Sequence, residues 1–328
     1  MEKNNFKISF CKKKEIEDVN RFSQTLGEGN VIYLPTIAEP IMWRYKNNKL
    51  NGKLSLMLLK DRKKIIGCAG VLYRKAFIIS REVESAWVTD AIIDPKYYKF
   101  PFLFESLEKY CIRNVQVPVF LGFQSKKRIF DMRRKFNDCC PVDAYFFRIV
   151  LSATSYEISS FGFEIMETTF LDKRFDAFFR RVRKQYTFIC DREEEFLKWR
   201  YRENPLNTYR IVEAYLGRKL VGYIIFREEP GEKKGYILDI MVDKNAAKCV
   251  YPLFLSAFKY FNKKKVKEVQ CLLSSEFYIK YCLKMGFYPF EKVFSLIRIT
   301  DKKLKNRYLK NKKDIHFTMG DGDYLGYK

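Results

Sequence analysis

The sequence predicts a mixed α and β fold, built twice over. Three observations lead there. The chain has 328 residues, enough for two domains at roughly 100–200 residues each. Its composition, 47% hydrophobic and 17% aromatic with 30 Phe and 22 Tyr, supplies apolar material for sizeable cores and argues against a disordered chain. Runs with strand alternation interleave with runs of helical period, and the series recurs along the chain.

The recurrence can be followed residue by residue. Trp43-Arg44-Tyr45-Lys46-Asn47-Asn48 returns as Trp199-Arg200-Tyr201-Arg202-Glu203-Asn204. Lys64-Ile65-Ile66-Gly67 returns as Lys219-Leu220-Val221-Gly222. Thr89-Asp90-Ala91-Ile92-Ile93-Asp94 returns as Leu238-Asp239-Ile240-Met241-Val242-Asp243. The stretch Leu103 to Tyr110 returns as Leu253 to Tyr260, and Val119 to Ser125 as Val269 to Ser275. Five matches in one order, with a nearly constant offset, imply two homologous domains over 1–152 and 163–328. The Ser/Thr-rich stretch Ser152 to Ser160 marks the linker, taken as 153–162.

The second copy shows the elements more clearly. Phe163 to Thr169 alternates as a strand. Asp172 to Tyr186 reads as a helix, with Asp172 as N-cap and Phe175, Phe178, Phe179 and Val182 on one face. Glu193 to Tyr201 is a short helix stopped by Asn204-Pro205. Tyr209 to Tyr215 and Lys219 to Arg227 form a hairpin across Leu216-Gly217-Arg218. Gly235 to Val242 is an apolar, buried strand. Pro252 to Lys263 is a helix with Pro at its start, where a missing N–H costs little. Val266 to Leu273 is a strand, Glu276 to Met285 a helix closed by Gly286, and Val293 to Ile299 lies in a final strand pair.

Charge and cysteine usage narrow the function classes. Lys+Arg is 63 against 39 Asp+Glu, a net charge of +24. Such a surface attracts anions, nucleic acid among them. The densest cluster, Lys302 to Lys313, reads as a solvated basic face or as a binding site, and no helix-turn-helix, zinc-finger or RNA-binding signature accompanies it. The nine cysteines are odd in number, lack a repeated spacing and form no Cys-x-x-Cys pair, so they are not a disulfide framework. His316 is the only histidine. His-rich metal sites are excluded and no metal is expected. No apolar run approaches the ~18 residues of a membrane span, and Met1 to Asn5 lacks the character of a signal peptide. A cytoplasmic protein without a transmembrane segment is expected.

The order β-α-α-β-β-β-α-β-α-β resembles the GNAT acetyltransferase superfamily. The residues carrying the likeness are Ile66-Gly67 and Val221-Gly222, Ala91 to Tyr97, and Lys284-Met285-Gly286-Phe287. With the repeat, the chain looks like a tandem GNAT protein. Each domain would be a mixed, mostly antiparallel sheet flanked by helices. A narrower likeness, in Phe196 to Pro205 and His316 to Asp323, is to GNAT-type proteins of bacterial polysaccharide gene clusters.

The resemblance implies acetyl-CoA or another acyl-CoA as co-substrate. Its pyrophosphate would need backbone N–H groups at a helix start, and its thioester carbonyl a donor beside a splayed strand. The cofactor candidates are Ile92, Ile93, Tyr98 and Lys99 in the first copy and Met241, Val242 and Lys248 in the second. Both loops, Pro95 to Phe102 and Lys244 to Pro252, lack the family's glycines. Asp90 and Asp239 are candidate bases or structural carboxylates, and Tyr281 and His316 candidate proton donors. His316 also reads as a partly exposed surface residue. Trp199, Arg200, Asp321 and Asp323 are candidate substrate contacts, with Arg200 able to clamp a carboxylate or phosphate. Asp94 and Asp243 shape the turns that follow them.

The leading expectation is an acyl-CoA-dependent N-acyltransferase acting on an amine of a sugar or small metabolite by direct transfer. The alternatives are a Fem-type transferase taking aminoacyl groups from tRNA, and a catalytically degenerate binding protein.

Overall fold

The computed structural model describes residues 6–26, 42–45, 54–100, 102–124, 139–151, 161–229 and 231–322. Its first half contains β1 (Phe6–Phe10), α1 (Ile16–Thr25), β2 (Leu56–Asp61), β3 (Lys64–Ile78), β4 (Arg81–Ile93), α2 (Phe102–Asn114), β5 (Val119–Gln124) and β6 (Cys140–Val150). The second half contains β7 (Glu164–Thr168), α3 (Lys173–Val182), β8 (Phe188–Cys190), α4 (Glu194–Leu197) and a π-helical turn (Lys198–Arg202). It continues with β9 (Arg210–Leu216), β10 (Lys219–Glu228), β11 (Lys234–Val242), α5 (Val250–Lys263), β12 (Glu268–Leu273) and α6 (Glu276–Lys284). Last come β13 (Tyr288–Ile299), α7 (Lys302–Lys310) and β14 (Ile315–His316). This is the mixed, mostly antiparallel fold that the sequence predicts.

The capping chemistry expected from the sequence is in place. Asp172 accepts from Arg174 N at 2.9 Å and starts α3. Phe175, Phe178, Phe179 and Val182 bury the α3 face as their spacing requires. Gly286 ends α6 at φ +90, a conformation open to glycine at little cost. Asp301 caps α7 through Leu304 N at 2.9 Å. Leu304 and Tyr308 anchor that helix, while Lys302, Lys303, Arg307 and Lys310 point to solvent.

Strand order departs from two separate sheets. The described strands join as β1-β2-β3-β4-β5-β13-β6-β12-β11-β10-β9-β7. β13 lies between β5 and β6, and β6 between β13 and β12. Each half therefore lends its last strand to the other's sheet. This exchange is invisible to local periodicity, because a strand's alternation is the same whichever neighbour it meets. The short strand β8 is also absent from the sequence reading. It pairs antiparallel with Ala76–Ile78 of β3 and parallel with β14. Three residues hold no period, so only distant partners define it.

A tryptophan pair marks the relation between the halves. Trp43 and Trp199 stack at 5.0 Å with an 18° interplanar angle. Each indole N–H donates to the other's backbone carbonyl, Trp43 to Trp199 at 3.2 Å and Trp199 to Trp43 at 3.4 Å. Equivalent repeat residues meeting reciprocally is what a pseudo-twofold arrangement requires.

The nine cysteines are free thiols, all but Cys139 buried. Among the described residues, no helix is long and apolar enough to cross a membrane. The linker is described only from Phe161 onward.

Candidate functional site

Two V-shaped openings occupy equivalent places in the sheet. β4 pairs in parallel with β5 only from Ser85–Val119 to Trp87–Leu121, yet runs on to Ile93. β11 pairs with β12 only from Lys234–Glu268 to Ile237–Cys271, yet runs on to Val242. Each long strand carries a bulge where its candidate carboxylate stands. The β3–β4 register shifts between Cys68 and Gly70 opposite Asp90, whose φ is +47. The β10–β11 register shifts between Ile225 and Phe226 beside Asp239. Bulges bend a strand and re-aim its side chains.

The second V is filled by the chain itself. Thr318 bridges to Leu273 of β12. Phe317 N donates to Ser274 Oγ at 2.7 Å, and Ser274 Oγ to Ile315 O at 2.6 Å. Val242 N, which faces this opening, donates to the Tyr278 hydroxyl at 2.8 Å. Tyr278 in turn meets the Tyr186 hydroxyl at 3.0 Å. The following loop spends its amides internally: Asn245 N on Asp243 Oδ1, Ala246 N on Asp243 O and Lys244 N on Gln185 Oε1.

A buried ion network holds this tail. Arg192, fully buried, contacts Asp239 Oδ2 at 2.5 Å and Asp321 Oδ2 at 2.6 Å. Arg74, from β3 of the first half, donates to Asp321 Oδ1 at 2.9 Å and to Asp191 O at 2.8 Å. Thr318 Oγ1 donates to Asp239 Oδ1 at 3.2 Å. Burial raises both carboxyl pKa values. The Arg192 charge outweighs that for Asp239, and Arg192 with Arg74 for Asp321, leaving both below the usual carboxylate range.

The first V is different. Asp94 N donates to Ile66 O at 2.8 Å, so by strand alternation Ile93 N faces away from β3, toward the opening. No acceptor for it lies among the described residues. Residues 125–138, which follow β5, are not among these. The loop after β4 is self-bonded as its counterpart is: Lys96 N on Asp94 Oδ1 and Tyr97 N on Asp94 O. Lys96, Tyr98 and Lys99 are exposed around it.

A small pocket sits where the two halves meet. Leu72, Tyr73 and Arg74 of β3 and Trp87 of β4 line one side. Phe196, Trp199 and Arg200 line another, and Gly320, Asp321 and Gly322 close it. The π-helical turn presents Trp199 and Arg200; such turns recur at functional sites. Arg74 lies over Phe196 at 4.0 Å and over Trp87 at 5.4 Å. The Tyr73 phenol points the other way, to the α2 side of the sheet with Ala86 and Val88, where burial, with the Glu84 carboxylate, pushes its pKa up to about 12. It stays protonated at neutral pH.

The expected residues divide accordingly. Trp199, Arg200 and Asp321 converge on the pocket; Asp323 lies outside the described residues. Ile92 and Ile93 border the first V, with Tyr98 and Lys99 beyond its end. Met241 and Val242 are fully buried, and Lys248 is exposed. Asp90 accepts from the Tyr45 hydroxyl and pairs with buried Arg44 at 3.4 Å. Asp239 is locked in the network. Tyr281 packs on Tyr251 at 5.2 Å, on the α5–α6 side, and does not line the pocket. His316 is fully buried between Tyr186 and Tyr278, so the expectation of a partly exposed surface residue fails. Among the described residues, no group of His, Cys, Asp and Glu could hold a metal ion. Sequence reasoning missed Arg74, Trp87 and Arg192. Their neighbours in sequence carry no motif, and only the approach of distant strands assembles them.

The class that this architecture defines is a duplicated GNAT fold, and solved structures carry the same fold. A GCN5-related N-acetyltransferase from Anabaena variabilis superposes with TM-score 0.65 at 15% identity, covering 90% of this chain and 73% of that one. N-myristoyltransferase of Saccharomyces cerevisiae with bound myristoyl-CoA gives 0.64 at 12% identity, covering 91% and 80%. A tandem GNAT protein from the clavulanic acid biosynthesis pathway gives 0.60 at 8% identity, covering 90% and 99%. No protein-family model and no curated protein sequence matches this chain.

Proposed function

We propose that this chain is an acyl-CoA-dependent N-acyltransferase acting on an amine of a sugar or other small metabolite. In this reading the repeat divides as 1–152 and 163–328, the first half takes the acyl-CoA, and the acceptor enters the pocket between the halves. One observation carries the reading. Among the described residues Ile93 N in the first V meets no acceptor, whereas the equivalent second V is filled by residues 315–321. The N-acetyltransferase and the N-myristoyltransferase among the solved structures of this fold support the same class.

The residues present fit an acyl-CoA in the first half and not in the second. Ile93 N would face its carbonyl region, and Lys96 and Lys99 would supply point charges for the phosphates in place of loop amides. When bound, the thioester supplies an electrophilic acyl carbon. The protein's own work is to hold the amine against it, since approximation alone contributes several kcal/mol. Asp90, on the bulge, is the proposed proton acceptor on that side. The leaving sulfur departs as a thiolate and takes its proton from water. A surface-polysaccharide context rests only on the likeness of the Phe196 to Pro205 stretch and the tail.

Amide hydrogen exchange on the full chain tests this, with and without acetyl-CoA and with desulfo-CoA as control. Added protection is expected over 88–99 and not over 238–248. Lys99→Glu should weaken binding and Lys248→Glu should not. Protection at 238–248 alone would move the site to the second half. No protection anywhere would sink the acyltransferase reading. It would favour a degenerate binding protein, a reading that the self-bonded loop amides of both halves support.

A further inference from the structure

Charge around the pocket is unevenly compensated. Arg192 is neutralised by Asp239 and Asp321, and Arg74 by Asp321. Arg200 is half-buried at the pocket, and its one bond there is from Nη2 to the backbone carbonyl of Gly322 at 2.9 Å. Among the described residues no carboxylate pairs with it. A guanidinium taken partly out of water gains most from a charged acceptor, and its planar fork matches a carboxylate or phosphate. Arg200 also stands beside an aromatic wall. It leaves the π-helical turn next to Trp199, whose indole is clamped by Trp43 at 5.0 Å and flanked by Phe196 at 5.8 Å. A cation beside an aromatic wall suits a ligand with one anionic end and an apolar or flat body.

The geometry points to an acceptor that bears a carboxylate or phosphate as well as its amine, with Arg200 holding the anion in the pocket between the halves. This inference rests on the acyltransferase reading for the word acceptor, but its binding claim stands apart. Arg200 is a specificity residue in it. It selects among amines by their second group and moves no proton.

Tryptophan fluorescence and equilibrium dialysis on the full chain, without any CoA compound, test it with two matched pairs. These are 6-aminohexanoate against hexylamine, and glucosamine 6-phosphate against glucosamine. The first pair reads a carboxylate and the second a phosphate. In at least one pair the anionic member is expected to bind about tenfold more tightly, as one charge-assisted contact allows. Arg200→Gln should erase the difference and Arg200→Lys keep part of it. Lys302→Gln, an exposed charge on α7, should change nothing. Circular dichroism of the Arg200 variants guards against misfolding, and the lysine variant keeps the test open if the glutamine variant is unstable. Equal affinity within both pairs, no saturable binding of either anionic member, or a preference that survives Arg200→Gln overturns the inference. Failure of the acyltransferase reading looks different: acetyl-CoA would protect no amides while the anion preference persisted.

Discussion

Arg192→Met should destabilise the protein by about 3–5 kcal/mol, the usual cost of stranding buried charges. Methionine fills most of the volume, so a cavity is not the cause. The cost arises because Asp239 loses its close cation and Asp321 keeps only Arg74. The pH dependence identifies the mechanism. In the native chain both carboxyl pKa values lie below their unfolded values of ~4. Their contribution is therefore present above about pH 4 and is lost as pH falls below it. In Arg192→Met the Asp239 carboxyl stays buried without its partner, its pKa rises, and stability falls as pH climbs through about 4. Chemical denaturation at several pH values should show the gap small in acid and widening toward neutrality. A loss under about 1 kcal/mol, or a gap that ignores pH, would mean that the network contributes little.

Gly320→Ala is the second large effect. A Cβ at this position would lie 2.0 Å from the Tyr201 hydroxyl and 3.2 Å from Leu238 O. Tyr201 cannot swing aside easily, being buried on the π-helical turn and edge-on to Tyr209 at 5.2 Å. Overpacking of this kind costs about 1–3 kcal/mol. The strain falls on the turn at Met319–Asp321, so the tail should loosen from the second V. Limited proteolysis and amide exchange over 315–321 would register that. Adding Tyr201→Phe removes the atom at 2.0 Å and should restore most of the loss. The phenol oxygen is buried without a hydrogen bond, so its removal costs little by itself. A double variant as unstable as the single would show that the backbone contact at Leu238 dominates.

Much of this was legible in the chain. The repeat, the mixed class, the α3 face, the Asp172 cap and the Gly286 stop all follow from rules that act within one turn or one strand. The turn roles of Asp94 and Asp243 follow from their side chains reaching backbone N–H groups two residues on. Trp199, Arg200 and Asp321 could be singled out because a repeated motif and an acidic tail stand out against so basic a background. Their meeting at one pocket could not be read, since Asp321 is 121 positions from Arg200 and no local rule spans that distance.

Tertiary structure decided the rest. The exchange of β6 and β13 depends on which edge each strand meets, and alternation carries no record of its partner. The burial of His316 and Asp239 follows from β14 docking on β8 and from the tail entering the β11–β12 opening. The tail alternates Ile315, Phe317 and Met319, all buried in the core, with His316, Thr318 and Asp321. Its apolar side chains join the core, and two arginines from separate halves neutralise Asp321 so that it can be buried with them. Sequence by itself determined that the chain forms two like halves and which residue types each could offer. Only the packed chain decided that residues 315–321 fill one opening and that Trp199, Arg200 and Asp321 meet at a pocket. Long-range pairing of charge and of strand edges makes that choice, and both are properties of the assembled sheet.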